Sequence, residues 1–294
     1  MSLIEQAAKR LAELQRAGAS VPGAPTRAAS EVRARTAPPA EPVKVEVEKE
    51  RPRVVIDVAR LKALGFATAD ARVSTISQEL RVMKRPILRA AAEEAPGRAS
   101  SARRVMITSA LPGEGKTFTA INLALSIASE IDTKVILVDG DVAHPSMLDV
   151  LGVPSSAGLL DLLTRDELDI DDVLLDTNID GLTLLPPGTQ NAQATELIAS
   201  DKMASLAAKL TAKFPSRIIV FDSPPLLVTT EARVLATHMG QVVVVVAADS
   251  TSRQSVEQAL ATLEQRETVY TVLNKTAASG SVSYHSHYAA PPAG

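Results

Sequence analysis

Apolar residues in this chain fall into short runs between residues 104 and 274, and the runs alternate between two periods. Arg104-Val-Met-Ile-Thr108 is an apolar run of strand type, and Phe118-Thr-Ala-Ile-Asn-Leu-Ala-Leu-Ser-Ile-Ala128 has helical spacing. The alternation continues over 104–109, 116–130, 134–139, 158–164, 182–186, 195–213, 217–222, 231–238, 241–247, 252–265 and 268–274. Val135-Ile-Leu-Val138, Ile218-Ile-Val-Phe221 and Val242–Ala248 are apolar at every position, the pattern of strands covered on both faces. Such alternation predicts an α/β fold with a mainly parallel sheet and helices on both faces. No internal repeat is apparent.

The flanks read differently. Ser2–Leu14 is a helix candidate: Ser2 and Glu5 form a capping box, and Ile4, Ala7, Leu11 and Leu14 make one apolar stripe. That stripe suits docking or self-association, although an isolated helix of this length is marginal in water. Residues 18–54 are rich in Pro, Ala and mixed charge, a disordered linker by composition. Leu61-Lys-Ala-Leu64 is a short amphipathic piece, and Ser77–Ala92 a longer helix that Pro86 should kink or restart. Thr276–Gly294 has no apolar period and reads as a flexible tail. The expected parts are an N-terminal amphipathic helix (1–17), a linker (18–54), a helical lead-in (55–100), a nucleotide-binding domain (101–276) and a tail (277–294).

The chemistry concentrates where the first strand meets the first long helix. Ser109-Ala-Leu-Pro-Gly-Glu-Gly-Lys-Thr117 lies between them. Strand, Gly-rich loop, Lys-Thr and helix is the context of a phosphate-binding P-loop. Gly113 and Gly115 let backbone N–H groups turn inward as an anion nest, and the helix N-terminus points at the same charge. Pro112, Gly113, Glu114, Gly115, Lys116, Thr117 and Phe118 are the expected nucleotide-binding residues, with Lys116 on the β- and γ-phosphates and Thr117 on Mg²⁺. The first Gly of the usual pattern is Ala110 here. Two further apolar strands end in acids, at Asp139-Gly-Asp141 and at Asp222-Ser-Pro-Pro225. In a parallel sheet all three strand ends meet at one edge, beside the phosphates. Asp222 is the expected Walker B acid, holding Mg²⁺ directly or through water. Acids after buried strands also cap the next helix, so that role stays open for Asp139 and Asp141.

Composition narrows the class. The 294 residues are 46% hydrophobic, enough for one sizeable core. A net charge of −3 gives no reason to expect nucleic-acid binding. The absence of Cys excludes disulfides and thiolate metal sites and suits a reducing cytosol. The N-terminus lacks the apolar core of a signal peptide, and Val242–Ala248 is too short to span a bilayer. Any membrane role is expected to come through a partner or a surface helix.

The P-loop, the Asp139-x-Asp141 strand end and the Asp222-Ser-Pro-Pro225 strand end together resemble the bacterial tyrosine kinases, cytoplasmic autokinases of exopolysaccharide export. The similarity runs from about Ser74 to Lys275. It includes Gly158-Leu-Leu-Asp-Leu-Leu163, Leu184-Leu-Pro-Pro-Gly188, Glu196-Leu-Ile-Ala-Ser-Asp-Lys-Met203 and Val272-Leu-Asn-Lys275. The opening Met1-Ser-Leu-Ile-Glu-Gln-Ala looks like the branch linked to exosortase-type polysaccharide loci. The resemblance implies ATP and Mg²⁺ as cofactors, and Lys116, Asp139, Asp141 and Asp222 as catalytic residues. It implies Thr117, Asp141 and Asp222 on the metal, and Asn274 against the adenine, where a plain strand-to-loop turn is the other reading. It implies a tyrosine-bearing tail as phosphoacceptor, and two of the three Tyr, Tyr284 and Tyr288, lie in the tail. Tyr270 sits in a strand and reads as structural. Either Asp139 or Asp141 would take the tyrosine proton. The implied partners are copies of the same chain in a ring-like oligomer, a membrane chain-length or co-polymerase protein as activator, and a tyrosine phosphatase. The implied location is the cytoplasm, peripheral at the inner membrane.

Two departures from that family stand out. Its A′ motif continues Asp-x-Asp-Leu-Arg-x-Pro, and this chain has Asp139-Gly-Asp-Val-Ala143-His144-Pro145, without the Arg. Its subunit-contact helix carries Glu-x-x-Arg-x-x-Arg, and here Gln78, Arg81 and Lys84 hold those places. The competing expectations are an assembly switch of the MinD/ParA kind that hydrolyses ATP to water, and an adaptor that only binds ATP.

Overall fold

The computed structural model describes residues 51–68, 75–93, 99–263, 266 and 268–276. The N-terminal helix, most of the linker, and the tail with Tyr284 and Tyr288 lie outside them. Eight strands form one sheet: β1 (Arg53–Val54), β2 (Arg104–Ser109), β3 (Lys134–Asp139), β4 (Leu175–Thr177), β5 (Leu182–Leu185), β6 (Arg217–Asp222), β7 (Gln241–Ala247) and β8 (Val269–Asn274). Their order is β1-β4-β5-β3-β6-β2-β7-β8. From β5 to β8 every pair is parallel, while β4 runs antiparallel to β5 and carries β1 at the edge.

Side chains of the central strands alternate between two apolar layers. Met106, Ile136, Val138, Ile219, Phe221, Val242 and Val244 face one. Val105, Ile107, Val135, Leu137, Val220, Val243 and Val245 face the other. Two buried layers explain why these strands are apolar at every position rather than at every second one. The described helices are α1 (Val58–Ala63), α2 (Thr75–Ala92), α3 (Ala99–Ala102), α4 (Lys116–Ala128), α5 (Met147–Leu151), α6 (Leu159–Thr164), α7 (Ile170–Val173), α8 (Ala194–Ile198), α9 (Asp201–Lys213), α10 (Thr230–Thr237) and α11 (Arg253–Ala261). Residues of α6, α8, α9 and α10 bury in the first layer, and those of α1, α2, α4 and α5 in the second.

Four expectations change. The segment read as linker to residue 54 enters the fold by Arg51. Its guanidinium is 2.8 Å from Asp171, and the guanidinium carbons of Arg51 and Arg217 each lie 5.1 Å from the Phe214 ring centroid. The expected helix 195–213 is two helices, because the Ser200 hydroxyl and N–H both turn back to the Leu197 carbonyl and close the first. Helix α2 runs through Pro86 as one element; Val82, whose carbonyl loses its in-helix donor there, is 73% exposed and open to water. Lys84, expected at a subunit contact, is buried instead. It shares the core-facing stripe of α2 with Leu80, Ile87 and Ala91. Its ammonium donates to the Ser126 carbonyl at 2.6 Å, near the C-terminal end of α4, and pairs with Glu130 at 2.6 Å. Gln78 and Arg81 remain on the exposed side.

Lys84→Ala should therefore lower the unfolding free energy by about 1–3 kcal/mol, because it strips a buried donor from two acceptors and removes a packed stem. Urea denaturation at one protein concentration measures this. An unchanged midpoint combined with weaker self-association would return Lys84 to a subunit interface.

Candidate active site

The site is built at the carboxyl ends of β2, β3 and β6. Parallel pairing sets Asp139 directly beside Asp222, and Asp222 beside Ile107 two residues before the end of β2. The three polar segments therefore meet by strand register. Gly140 has to be glycine: its N–H donates to the Asp222 carbonyl at 2.8 Å, and a Cβ there would stand 2.9 Å from that same oxygen. The Ser223-Pro-Pro225 segment then lies along the start of the P-loop. Ser223 N–H donates to Ile107, Leu226 N–H to Ser109, and the Thr108 hydroxyl to Pro224.

Gly113 and Gly115 adopt left-handed φ of 79° and 99°, which aims successive N–H groups inward as an anion nest requires. Three neighbours fix that shape. Glu114 is buried and faces the protein, accepting from Leu111 N–H at 2.6 Å and from the Thr251 hydroxyl. Asn274 donates its amide to the Glu114 carbonyl at 2.9 Å and fills the space a Cβ on Gly115 would need. Lys275 donates to the Gly113 carbonyl at 2.6 Å. Asn274, expected on an adenine base, thus has one amide proton held by the loop. Phe118 packs its ring on Phe66, with centroids 4.8 Å apart. Pro112 is exposed at the loop tip.

Lys116 Nζ is 2.9 Å from Asp141 Oδ2. Thr117 Oγ1 lies 3.3 Å from Ser146 Oγ. Asp139, fully buried, accepts weakly from Met147 N–H at 3.3 Å at the start of α5. The two acids have divided the roles left open by the sequence: Asp139 caps a helix and Asp141 meets the lysine. His144 and Ala143 are exposed, and His144 N–H closes a turn on the Asp141 carbonyl.

Electrostatically the site is overloaded with carboxylate. Burial pushes the Asp222 carboxyl up to about 7; the Thr117 hydroxyl and Lys116 charge oppose this and Asp141 adds to it. Burial and the adjacent Asp222 carry Asp139 well above the usual carboxylate range. Both Asp222 oxygens, Asp139 Oδ1 and Asp141 Oδ1 lack a well-formed hydrogen bond. Such orphaned acceptors fit a hard divalent cation. Among the described residues no group of three or more His, Cys, Asp or Glu is arranged to hold a metal. A magnesium ion here would depend on phosphate oxygens and water for most of its shell.

Comparison with known proteins places this geometry. The AAA domain family matches residues 102–276. A tyrosine-protein kinase of Streptococcus pneumoniae serotype 4, CpsD, is 30% identical over 58% of this chain and 75% of its own length. The chain belongs to the bacterial tyrosine kinase family. A putative tyrosine-protein kinase of Staphylococcus aureus, CapB, is 28% identical over 74% of this chain and 92% of its own length. The crystal structure of the chimerical protein CapA2B2 superposes with a TM-score of 0.61 at 27% identity, covering 77% of this chain and 95% of that one. Among the described residues no helix of this kinase is long and apolar enough to cross a membrane.

Two motifs carrying the family likeness form one structural lock. Gly158 and Pro186 touch so closely that a Cβ on Gly158 would meet the Pro186 carbonyl at 2.1 Å. Asp161, buried, accepts from Gly158 and Thr189 N–H, each at 2.9 Å. Burial alone would raise its carboxyl, but those donors and Arg165 hold it below the usual range. Tyr270 is half-buried in β8 and packs against the second apolar layer. The sequence assigns no role to Asp161, Ser146, Thr251 or Lys275, although Asp161 and Lys275 lie within motifs that carry the resemblance.

An acid with a raised folded pKa still holds its proton where the unfolded chain has lost it. Stability therefore falls as pH climbs from the ordinary carboxyl value of 3.8 toward about 7. Asp222→Asn should remove that loss and stabilise the nucleotide-free protein by ~1–4 kcal/mol at pH 8, with little gain near pH 4. Thermal unfolding across this range checks the sign, and equal or lower melting of the variant at pH 8 would refute the buried-charge account.

Proposed function

We propose that this kinase transfers the γ-phosphoryl group of ATP to tyrosines of its own C-terminal tail, Tyr284 and Tyr288, in a neighbouring copy of the chain. The observation that carries the reading is the Lys116–Asp141 ion pair beside Asp222 at the mouth of a preformed P-loop nest. Phosphoryl transfer needs positioned charge more than covalent help. The nest amides and Lys116 bind the phosphates. Phosphate oxygens then compete for Lys116, which frees Asp141. Asp141 is better placed than Asp139 to take the phenol proton, since Asp139 is deeper, capped to α5 and shifted toward its neutral form. The new bond joins the tyrosine oxygen to phosphorus, the bond to ADP breaks, and the proton passes to Asp141. Magnesium would be held by Thr117 and Asp222 and would supply charge neutralisation on the phosphates.

By family, the role is regulation of exopolysaccharide synthesis or export, with a membrane co-polymerase protein as activator and a phosphatase that resets the tail. The location that follows is cytoplasmic, at the inner membrane through that activator. Gln78 and Arg81, both exposed on α2, are the remaining candidates for a contact between copies.

Incubation with Mg-ATP, followed by phosphotyrosine mass spectrometry and phosphate-release assay, tests the reading. Wild type should carry phosphate on Tyr284 and Tyr288. Lys116→Met should abolish it, and Asp141→Asn and Asp222→Asn should each reduce transfer by at least ~100-fold. Phosphate released to water with no phosphotyrosine would instead support an ATPase assembly switch, and ATP binding without turnover an adaptor. Arg81→Ala should weaken association in light scattering while leaving nucleotide affinity intact.

A further inference from the structure

The A′ segment carrying Asp139 and Asp141 is held at several points. Gly140 N–H donates to the Asp222 carbonyl, His144 N–H donates to the Asp141 carbonyl, Met147 N–H reaches the Asp139 side chain, and Lys116 pairs with the Asp141 carboxylate. The backbone just after Asp141 has its own tie: Gln190 Nε2 donates to the Val142 carbonyl at 2.7 Å. Val142 directly follows Asp141 and is 2% exposed. Gln190 belongs to the turn after β5, which is among the most firmly pinned turns near the site. Leu159 and Leu160 N–H groups donate to the Pro186 and Pro187 carbonyls at 2.8 and 3.0 Å. Asp161 holds Thr189 from the opposite side, and Gly188 sits at φ 88° where a Cβ would be 2.6 Å from the Asp161 carboxylate.

The structure assigns Gln190 as a positioning residue for Asp141, with the Asp161 lock as its foundation. Thr189 N–H donates to Asp161 and, one residue on, Gln190 donates to the Val142 carbonyl, linking helix α6 to the acid that faces Lys116. Gln190 does not touch the reacting groups. It sets where the Val142 carbonyl stands and, through the adjoining peptide, where the Asp141 carboxylate points. This assignment deepens the phosphoryl-transfer reading, but its structural content is independent of it. Because Gln190 is itself exposed on the surface, its replacement should leave the fold intact.

Hydrogen–deuterium exchange on the nucleotide-free full chain provides a readout that needs no turnover. In Gln190→Ala and Gln190→Glu, neither of which can donate, amides of segment 140–147 should exchange about 3- to 10-fold faster, the scale of one neutral hydrogen bond. Gln190→Arg, which retains a donor, should restore protection. Melting temperatures of all three should stay near wild type. If wild type proves to be a tyrosine kinase, kcat should fall by a similar factor in the Ala and Glu variants and recover in Arg, with KM for ATP little changed. Unchanged exchange in Gln190→Ala, or failure of Arg to restore it, would overturn the assignment whether or not the chain makes phosphotyrosine.

Discussion

Three carboxylates crowded around one ammonium are the constraint on which the rest of the site depends. Asp139 and Asp222 are neighbours by strand register, and Asp141 follows two residues on. Among the described residues Lys116 is the cation that pairs with them, through Asp141. In a buried setting like charges cannot all remain ionised at neutral pH. Burial and mutual repulsion raise Asp222 and Asp139, and the lysine is drawn to the third acid. The site is thereby poised for positive charge, and the folded chain carries the strain of that shortage when it holds no nucleotide. This is a common trade between stability and activity: an arrangement good for chemistry is an uncomfortable one to fold.

Around that centre the fold builds two rigid walls. On one side Glu114, Thr251, Asn274 and Lys275 hold the P-loop from the ends of β7 and β8. On the other, the Gly158–Asp161 and Pro186–Gln190 segments hold the A′ loop. Both walls are made largely of side chains bonded to backbone, which fixes loop shape without a large apolar core. Through Lys275, the residue that follows β8, the P-loop wall reaches the Gly113 carbonyl at the heart of the loop.

The departures from the family pattern acquire physical content. Ala143 stands exposed where the family has Arg, and the exposed His144 donates its backbone N–H to the Asp141 carbonyl. The A′ loop therefore has no second cation of its own, which leaves Lys116 with more of the electrostatic work. Lys84 departs in another way. It occupies the place of a subunit-contact Arg in the sequence but belongs to the inward stripe of α2, where its ammonium donates to the Ser126 carbonyl of α4. A contact between copies through α2 would have to rely on Gln78 and Arg81.

Much was legible in the sequence because it is local. Strand and helix periods, the glycines of the P-loop, and acids placed at strand ends follow from neighbours a few residues apart, and a parallel sheet brings those ends together without further information. The inward position of Lys84 was legible too, since it shares the 3-4 spacing of Leu80, Ile87 and Ala91. What tertiary structure decided was which polar atom meets which. Asp139 and Asp141 are chemically alike, and only the path of the chain through Pro145 and Ser146 gives one to Met147 and the other to Lys116. Glu114 reads as a phosphate-loop residue until Thr251 and Leu111 are seen to claim its side chain. The edge strand Arg53–Val54 has no period to announce it, because two residues gain their structure from pairing with β4 and from the Arg51–Asp171 bond, more than a hundred positions away. Hydrophobic period is a property of the chain; hydrogen-bond partnership between distant segments is a property of the fold.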